Sequence, residues 1–497
     1  MYSPQFDVII IGAGLSGIGA AVHLKTKCPT KTFALLEART QLGGTWALFR
    51  YPGIRSDSDM HTLSYHFKPW SKPKTIAEGA EIRQYIEETA REYDISPHIR
   101  YHHRVLGLAW SSNTQSWSVQ VQRTDTGVCF SLTSRFVMSC AGYYRYDQGY
   151  APHFAGQERF TGRVLHPQHW PADLDYQGKR IIVVGSGATA ITLVPALAPA
   201  AAHVTMLQRS PSYVMSVPRN DSTGHKLARY IPKDLAYRYV RARNILTATA
   251  LYQFTRSFPA LARHLILNQV KNSLNTEADL VHFIPRYAVW DERLCLTPDH
   301  NFFEAINSGQ VTVMTDEIDH FTSSGLRLTS GIDLDADIVV TATGLTLQVL
   351  GGATIHVDGT PITPATQLLY RGVMLEDVPN FATIFGYTNA SWTLKSDLSS
   401  DYLCKLINHM DAHGHSACVP RNRGRSGVQG PFVDLRSGYI RRGEHLLPRQ
   451  GTARPWKQHQ NYLLDYAAVK LGKVDDPALQ FLSPRTHATT TDGSCPQ

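Results

Sequence analysis

The sequence predicts an α/β protein built on two Rossmann-like dinucleotide-binding domains, with a helical insertion in the second. Three observations predict it. An apolar run, FDVIII at Phe6–Ile11, feeds the glycine spacing Gly12, Gly14, Gly17. A second run, KRIIVV at residues 179–184, feeds Gly185, Gly187 and Ala190. The strand after each motif ends in a charge of opposite sign, Glu37 in the first unit and Arg209 in the second.

Each feature has a physical reading. In a strand–turn–helix unit the first glycine permits the tight turn. The second lets a pyrophosphate approach the backbone, and the third lets the helix pack on the strand. The helix, expected from Leu15 to about Lys25, then points its N-terminus at the phosphates. Glu37 ends the run TFALLE, twenty residues past Gly17. A carboxylate there accepts hydrogen bonds from a ribose diol and repels a 2′-phosphate, so the first site suits the adenosine half of FAD. Arg209, with Ser210 beside it, ends HVTMLQR. A guanidinium next to a hydroxyl suits a 2′-phosphate, so the second site should prefer NADPH over NADH.

The remaining elements follow in order. Gly43-Gly44-Thr45-Trp46 and the run YPGIRSD at 51–57 read alone as surface turns. Behind an FAD motif they read as a loop around the pyrophosphate and flavin. Residues 78–93 have the apolar spacing of an amphipathic helix, and residues 104–140 alternate as a small β-meander. FTGRVLHPQHWP at 160–171 joins the two nucleotide units. Residues 216–288 carry helical periodicity broken by Pro232 and Pro259. DIVVTATG at 337–344 is a strand and turn returning the chain to the first unit. A last long helix is expected from near Ser399, with Leu403, Leu406, Ile407 and Met410 as its buried stripe and Gly414 as its stop. The FAD-binding domain is thus assigned to 1–150 and 346–482, and the NADPH-binding domain to 151–215 and 289–345. The insertion takes 216–288, and a loose tail takes 483–497.

Composition narrows the class. With 43% hydrophobic and 18% charged residues the chain is an ordinary globular protein of about three domains. Its seven cysteines are scattered and never in C-x-x-C spacing, which points to a reduced, cytoplasmic protein. No secretory signal is expected, because Asp7 interrupts the first apolar run. The uncharged runs 8–22 and 181–202 each contain a glycine motif and read as buried strand then helix, not as membrane spans. His166 and His169 have no third ligand nearby, so no metal site is expected. Net charge is +8, and nine bases against Asp234 alone lie between Lys226 and Lys271. A solvated helical face, attraction of anionic NADPH and peripheral contact with an anionic membrane all stay open as readings of this excess. Nucleic acid is not expected, since no recognition motif accompanies the charge.

Phe160, Gly162, His166, Trp170 and Pro171 spell F-x-G-x-x-x-H-x-x-x-W-P. This resembles the fingerprint of the type I Baeyer–Villiger monooxygenases. YPGIRSDSD, HPQHWP, LQRSP, WDERLC and GYTNASWTLK resemble the mycobacterial ethionamide-activating branch of that family. The resemblance spans residues 6–482 and implies FAD, NADPH and molecular oxygen. The implied reaction uses the flavin to insert one atom of oxygen next to a ketone carbonyl, giving an ester or lactone, with side activity on sulfur; the alternative is an enzyme that oxygenates only nitrogen or sulfur. It also implies residue roles. FAD contacts fall on Ser16, Glu37, Thr45, Trp46, Ala47, Leu48, Asp57 and the backbone of Val105. NADPH contacts fall on Val184, Gly185, Ser186, Gly187, Ala188, Thr189, Ala190, Gln208 and Arg209. Arg293 of WDERLC is implied as the catalytic arginine, oriented by Asp57, with Asp59 left open as the acting carboxylate. His166 is read as structural, and Trp392 as bordering the flavin or substrate. Glu292 departs from the family, many of whose members carry lysine there, so Arg209 is left with more of the NADPH selectivity.

Overall fold

The computed structural model describes residues 4–227, 229–433 and 435–484. Most of the expected tail, residues 485–497, lies outside the described residues. Two sheets organise the chain. In the first, Phe6–Ile11 pairs in parallel with Phe33–Leu36, which pairs with Ile99–Arg100. The long strand Cys129–Ser139 serves twice. Its first half pairs antiparallel with Ser116–Arg123 in the meander, and its second half runs parallel to Phe6–Ile11. A β-branched and aromatic sequence fits this double role, because its alternation gives way to the buried run FVMS where both faces are covered. The late strands Phe381–Thr383 and Thr354–Val357 add to the same sheet, so the C-terminal third closes on the N-terminal unit.

The second sheet is entirely parallel, in the order Val311–Thr315, His203–Gln208, Arg180–Val184, Ile338–Thr341, Arg163–Leu165. It has its own core, in which Ile181, Val183, Leu193, Val204, Phe302 and Val340 are buried. Both apolar runs considered as membrane spans are a buried strand followed by a helix. No helix among the described residues is long and apolar enough to cross a membrane.

The helices match their sequence signals with one shift. Gly79–Glu92 opens on the capping pair Glu78 and Glu81. The insertion holds Lys233–Ser257, which starts just after Pro232, and Pro259–Ser273, which starts on Pro259. The last long helix is Trp392–Ala412, beginning seven residues before the expected Ser399. Ser391 stands at its N-cap, and its first turns are buried by contacts that periodicity does not report. Its stripe of Leu403, Leu406, Ile407 and Met410 is buried, and Gly414 stops it with φ +66°.

The linker is locked by His166. Its Nδ1 accepts the Gln168 amide at 3.2 Å, so Nε2 carries the proton and donates to the Gly344 carbonyl at 3.1 Å. That ties the fingerprint to the turn where the chain leaves the second sheet. Gly149 packs so closely on the imidazole that a Cβ there would stand 2.1 Å from Cε1. Burial holds the His166 pKa below its usual value. The unfolded chain therefore takes up this proton first. The histidine contributes stability above about pH 6.5 that is lost as pH falls through its folded pKa. The thermal midpoint should fall on acidification from neutral pH, and His166→Asn should reduce that fall relative to the wild type. Identical slopes would contradict the neutral clamp.

Candidate active site

The first glycine turn is built as its spacing requires. Gly12 has φ +96°, and a Cβ on it would stand 2.9 Å from the Cys140 carbonyl. A Cβ on Gly17 would lie 1.9 Å from the Gly12 carbonyl, so the helix touches the strand only because this residue has no side chain. Gly17→Ala should cost about 1–3 kcal/mol through overpacking. It should be seen as a lower melting temperature together with loss of flavin during purification.

Glu37 is buried at the end of its strand. Its Oε2 accepts the Ala13 amide at 2.9 Å and its Oε1 the Arg39 amide at 3.0 Å. Burial pushes its carboxyl above the usual range, and the two amides oppose this. Glu37 lines a cavity of about 390 Å³ with Gly12, Gly14, Ser16, Thr45 and Trp46. Asp57, Val105, Trp392 and Arg293 line the same space. Gly14 and Gly44 face each other across the turn, where a Cβ on Gly44 would be 3.0 Å from the Gly14 Cα. This cradle of bare backbone, a helix N-terminus and a carboxylate fits a dinucleotide without a 2′-phosphate. Ala47 and Leu48 do not line the cavity. Ala47 is buried beside Gly43, and Leu48 packs against the core of the second sheet.

The second turn repeats the plan with an opener front. Gly185 has φ +138°, and a Cβ there would sit 2.4 Å from the Ala342 carbonyl. Gly187 has nothing within 4 Å of an added Cβ, which leaves space for a ligand against the backbone. Val184, Ser186 and Thr189 are half-buried around it, Ala188 is exposed and Ala190 is buried. The Ser186 hydroxyl donates to the Ser210 carbonyl at 3.0 Å, which ties the turn to the end of the next strand. Arg209 is exposed there. Gln208 is turned inward: its amide nitrogen donates to the His282 carbonyl at 2.6 Å and to Thr315 Oγ1 at 2.9 Å. Glu292 is held above the usual carboxyl range by burial, against the charges of Arg441 and Arg209.

A second cavity of about 450 Å³ meets the first at Asp57, Ser58, Ala390 and Arg293. Its walls include Met215, Leu294 and Leu296 from the second unit, and Asn244, Ala248 and Tyr252 from the insertion. Arg293 stands two positions before the strand Cys295–Pro298, which pairs with Val214–Val217. Its Nε lies 2.9 Å from Asp57 Oδ2. Each side chain is 31% exposed. Asp57 is the largest influence raising the Arg293 pKa above its already high value, so the guanidinium stays charged. Asp59 is occupied elsewhere. It caps Met60–Leu63 through the Thr62 amide at 3.1 Å and accepts Asn244 Nδ2 at 2.9 Å.

Trp392 and Ser16, both expected at this site, line the first cavity, whereas Tyr143, Tyr144, Gln348, Leu350 and Gly351 carried no clear signal. Trp392 Nε1 donates to Ser16 Oγ at 2.7 Å, joining the last long helix to the first glycine turn across 376 residues. Tyr143 and Tyr144 line the cavity beside Arg293. Gln348, Leu350 and Gly351 close another side, where Leu350 and Gly351 adopt φ +56° and +65°. Only the Gly351-Gly352 pair could have pointed there.

Residues 55–350 match the model of flavin-binding monooxygenase-like proteins, and residues 10–72 match an NAD(P)-binding Rossmann-like domain. The chain belongs to the flavin-binding monooxygenase-like family. It is 49% identical over 479 residues to the FAD-containing monooxygenase EthA of Mycobacterium tuberculosis, covering 96% of this chain and 98% of that one. It is 46% identical over 483 residues to the probable FAD-binding monooxygenase AlmA of Acinetobacter baylyi, covering 96% of each. Among solved structures, a steroid monooxygenase bound to NADP superposes with a TM-score of 0.76 at 22% identity, over 96% of this chain and 100% of that one. An open cyclohexanone monooxygenase gives 0.76 at 19% identity, over 97% and 100%. At those identities the likeness establishes the fold: two dinucleotide units, as the paired glycine motifs require. The family makes the chain a flavin-dependent oxygenating enzyme, in agreement with the resemblance carried by the fingerprint.

Proposed function

We propose that this enzyme uses FAD and NADPH to convert a ketone, oxygen, NADPH and a proton into an ester or lactone, water and NADP⁺. One observation carries the reading: Arg293, paired with Asp57, stands where the two cavities meet. FAD, when bound, relays two electrons from NADPH to oxygen and supplies the activated oxygen atom. The chain's own residues do the rest. Glu37 takes the ribose of the flavin nucleotide, and Arg209 takes the 2′-phosphate of NADPH. Asp57 holds the Arg293 Nε, and the two Nη groups make no hydrogen bond among the described residues. They are free to bind the carbonyl oxygen, on which negative charge grows as the ketone is attacked.

The larger cavity is of a size for small organic ligands. Met215, Leu251, Leu294 and Leu296 give it apolar walls, which suits a lipophilic ketone and keeps water from the developing charge. Thioethers and thiocarbonyls are the expected side substrates, since electron-rich sulfur needs no carbonyl. We place the reaction in the reducing cytoplasm, a reading supported by six cysteines that are all unpaired among the described residues. The test is NADPH oxidation with a panel of ketones and one thioether, with products identified by mass spectrometry. Esters carry the proposal. Sulfoxide alone, with every ketone recovered, would replace it by a sulfur- and nitrogen-oxygenating enzyme.

A further inference from the structure

The basic insertion separates into inward and outward charges. Arg241 Nη1 donates to the Ser64 carbonyl at 2.9 Å, Arg243 pairs with Asp221, and Arg263 donates to Tyr213 Oη at 2.9 Å. These hold the insertion to the body of the protein. Lys226, Arg229, Lys233 and Arg238 are exposed and make no ion pair among the described residues. They gather at the N-terminal end of the helix Lys233–Ser257, with Asp234 the acid in its first turn.

The same helix bears an apolar stripe on its outer side. Leu235, Tyr239 and Leu246 are 52%, 54% and 53% exposed, and their spacing puts them on one side of the helix. Arg238 lies between the first two. The helix Pro259–Ser273 packs against it and carries two more exposed leucines, Leu261 and Leu265, 49% and 51% exposed, just after the exposed Phe258. The other side of the first helix is used internally: Ile245 is buried, and Ala248 and Tyr252 line the larger cavity. Large apolar side chains exposed together mark an interaction surface.

We propose that this outer face docks on an anionic membrane surface. The leucine and tyrosine side chains enter the headgroup boundary, and the four unpaired cations face lipid phosphates. Charge complementarity selects this occupant. Lipid phosphates match a cationic rim, whereas a second copy of the chain would bring like charges together. Docked this way, the larger cavity lies one helix from the lipid, so its substrates are drawn from molecules that partition into the bilayer. The docking rests on these helices and not on the oxygen-insertion reading, and sedimentation measures it without turnover.

The test uses the full chain loaded with FAD and vesicles of phosphatidylcholine, with or without phosphatidylglycerol. Pelleting is expected with anionic vesicles, weakened by salt, and little with neutral ones. Lys233→Glu with Arg238→Glu should weaken binding by at least roughly 25-fold, at about five-fold per charge near the surface. Leu246→Glu with Leu261→Glu should also release the protein, with NADPH oxidation and the melting temperature unchanged. Equal pelleting by neutral and anionic vesicles, or pelleting insensitive to both double variants, would overturn the proposal. So would a stable dimer that the leucine variants split, since the face would then be an interface between copies. Should a variant fail to fold, the lipid and salt dependence of the wild-type chain decides alone.

Discussion

Arg293→Ala is expected to lower ester formation by about 100- to 1000-fold, the usual cost of losing one donor to a developing oxyanion. FAD should still bind, because its cavity is closed on the far side by Glu37, the glycine turn and the Gly43-Gly44 loop. NADPH should still reduce it, because Arg209 and the second turn are untouched. The split between the two half-reactions is what identifies the role. A residue that merely held the loop WDERLC would damage reduction and flavin retention together with oxygen insertion. Stopped-flow reduction and product yield, measured on one preparation, separate these outcomes. Asp57→Asn should lie between wild type and Arg293→Ala. It removes the negative charge that faces Nε at 2.9 Å but leaves an acceptor oxygen there and the guanidinium charge in the cavity.

The second large effect concerns cofactor choice. Arg209→Ala should raise KM for NADPH by about 10- to 100-fold, as expected for loss of a charge-assisted hydrogen bond of about 1.5–3 kcal/mol. KM for NADH should hardly move, because NADH lacks the 2′-phosphate that the guanidinium is proposed to meet. The structure sharpens this expectation. Gln208, implied as a neighbouring contact, spends its amide nitrogen on His282 and Thr315, which leaves Arg209 and Ser210 as the exposed pair at this strand end. Glu292 stands where many relatives of the fingerprint family have a lysine, and it feels both Arg209 and Arg441. Steady-state kinetics with both nucleotides, on the wild type and the variant, checks the prediction. An equal loss for NADPH and NADH would assign Arg209 to the fold.

What was legible in the sequence was local. A strand feeding a glycine turn is a short pattern with its own steric reason, and both turns fold as that pattern requires. The charge at the end of the next strand is equally local: Glu37 lines the first cavity and Arg209 is exposed beside the second turn, and their opposite tasks are the ones proposed above. The choice between Asp57 and Asp59 was not local. A single residue, Ser58, separates them, and only tertiary packing shows that Asp59 caps a helix and binds Asn244 while Asp57 reaches Arg293. Nor was the early start of the helix Trp392–Ala412, whose first turns are buried against distant parts of the chain. The bond from Trp392 to Ser16 spans 376 residues and leaves no periodicity to read. The walls of the larger cavity come from the insertion, from the 215–218 and 294–296 segments and from residues 388–394 and 460–462. Helical spacing pointed to helices between 216 and 288, but it could not say which side of Lys233–Ser257 would face the cavity.

The charge at the meeting point of the two cavities is tested most directly by a crystal structure of the FAD-loaded enzyme with a bound, unreactive ketone analogue. The ketone oxygen should lie about 2.7–3.1 Å from a terminal nitrogen of Arg293. Its carbon chain should run into the cavity bounded by Met215, Leu251 and Leu294. A ligand seated elsewhere, or seated there with its carbonyl turned away from Arg293, would contradict the account.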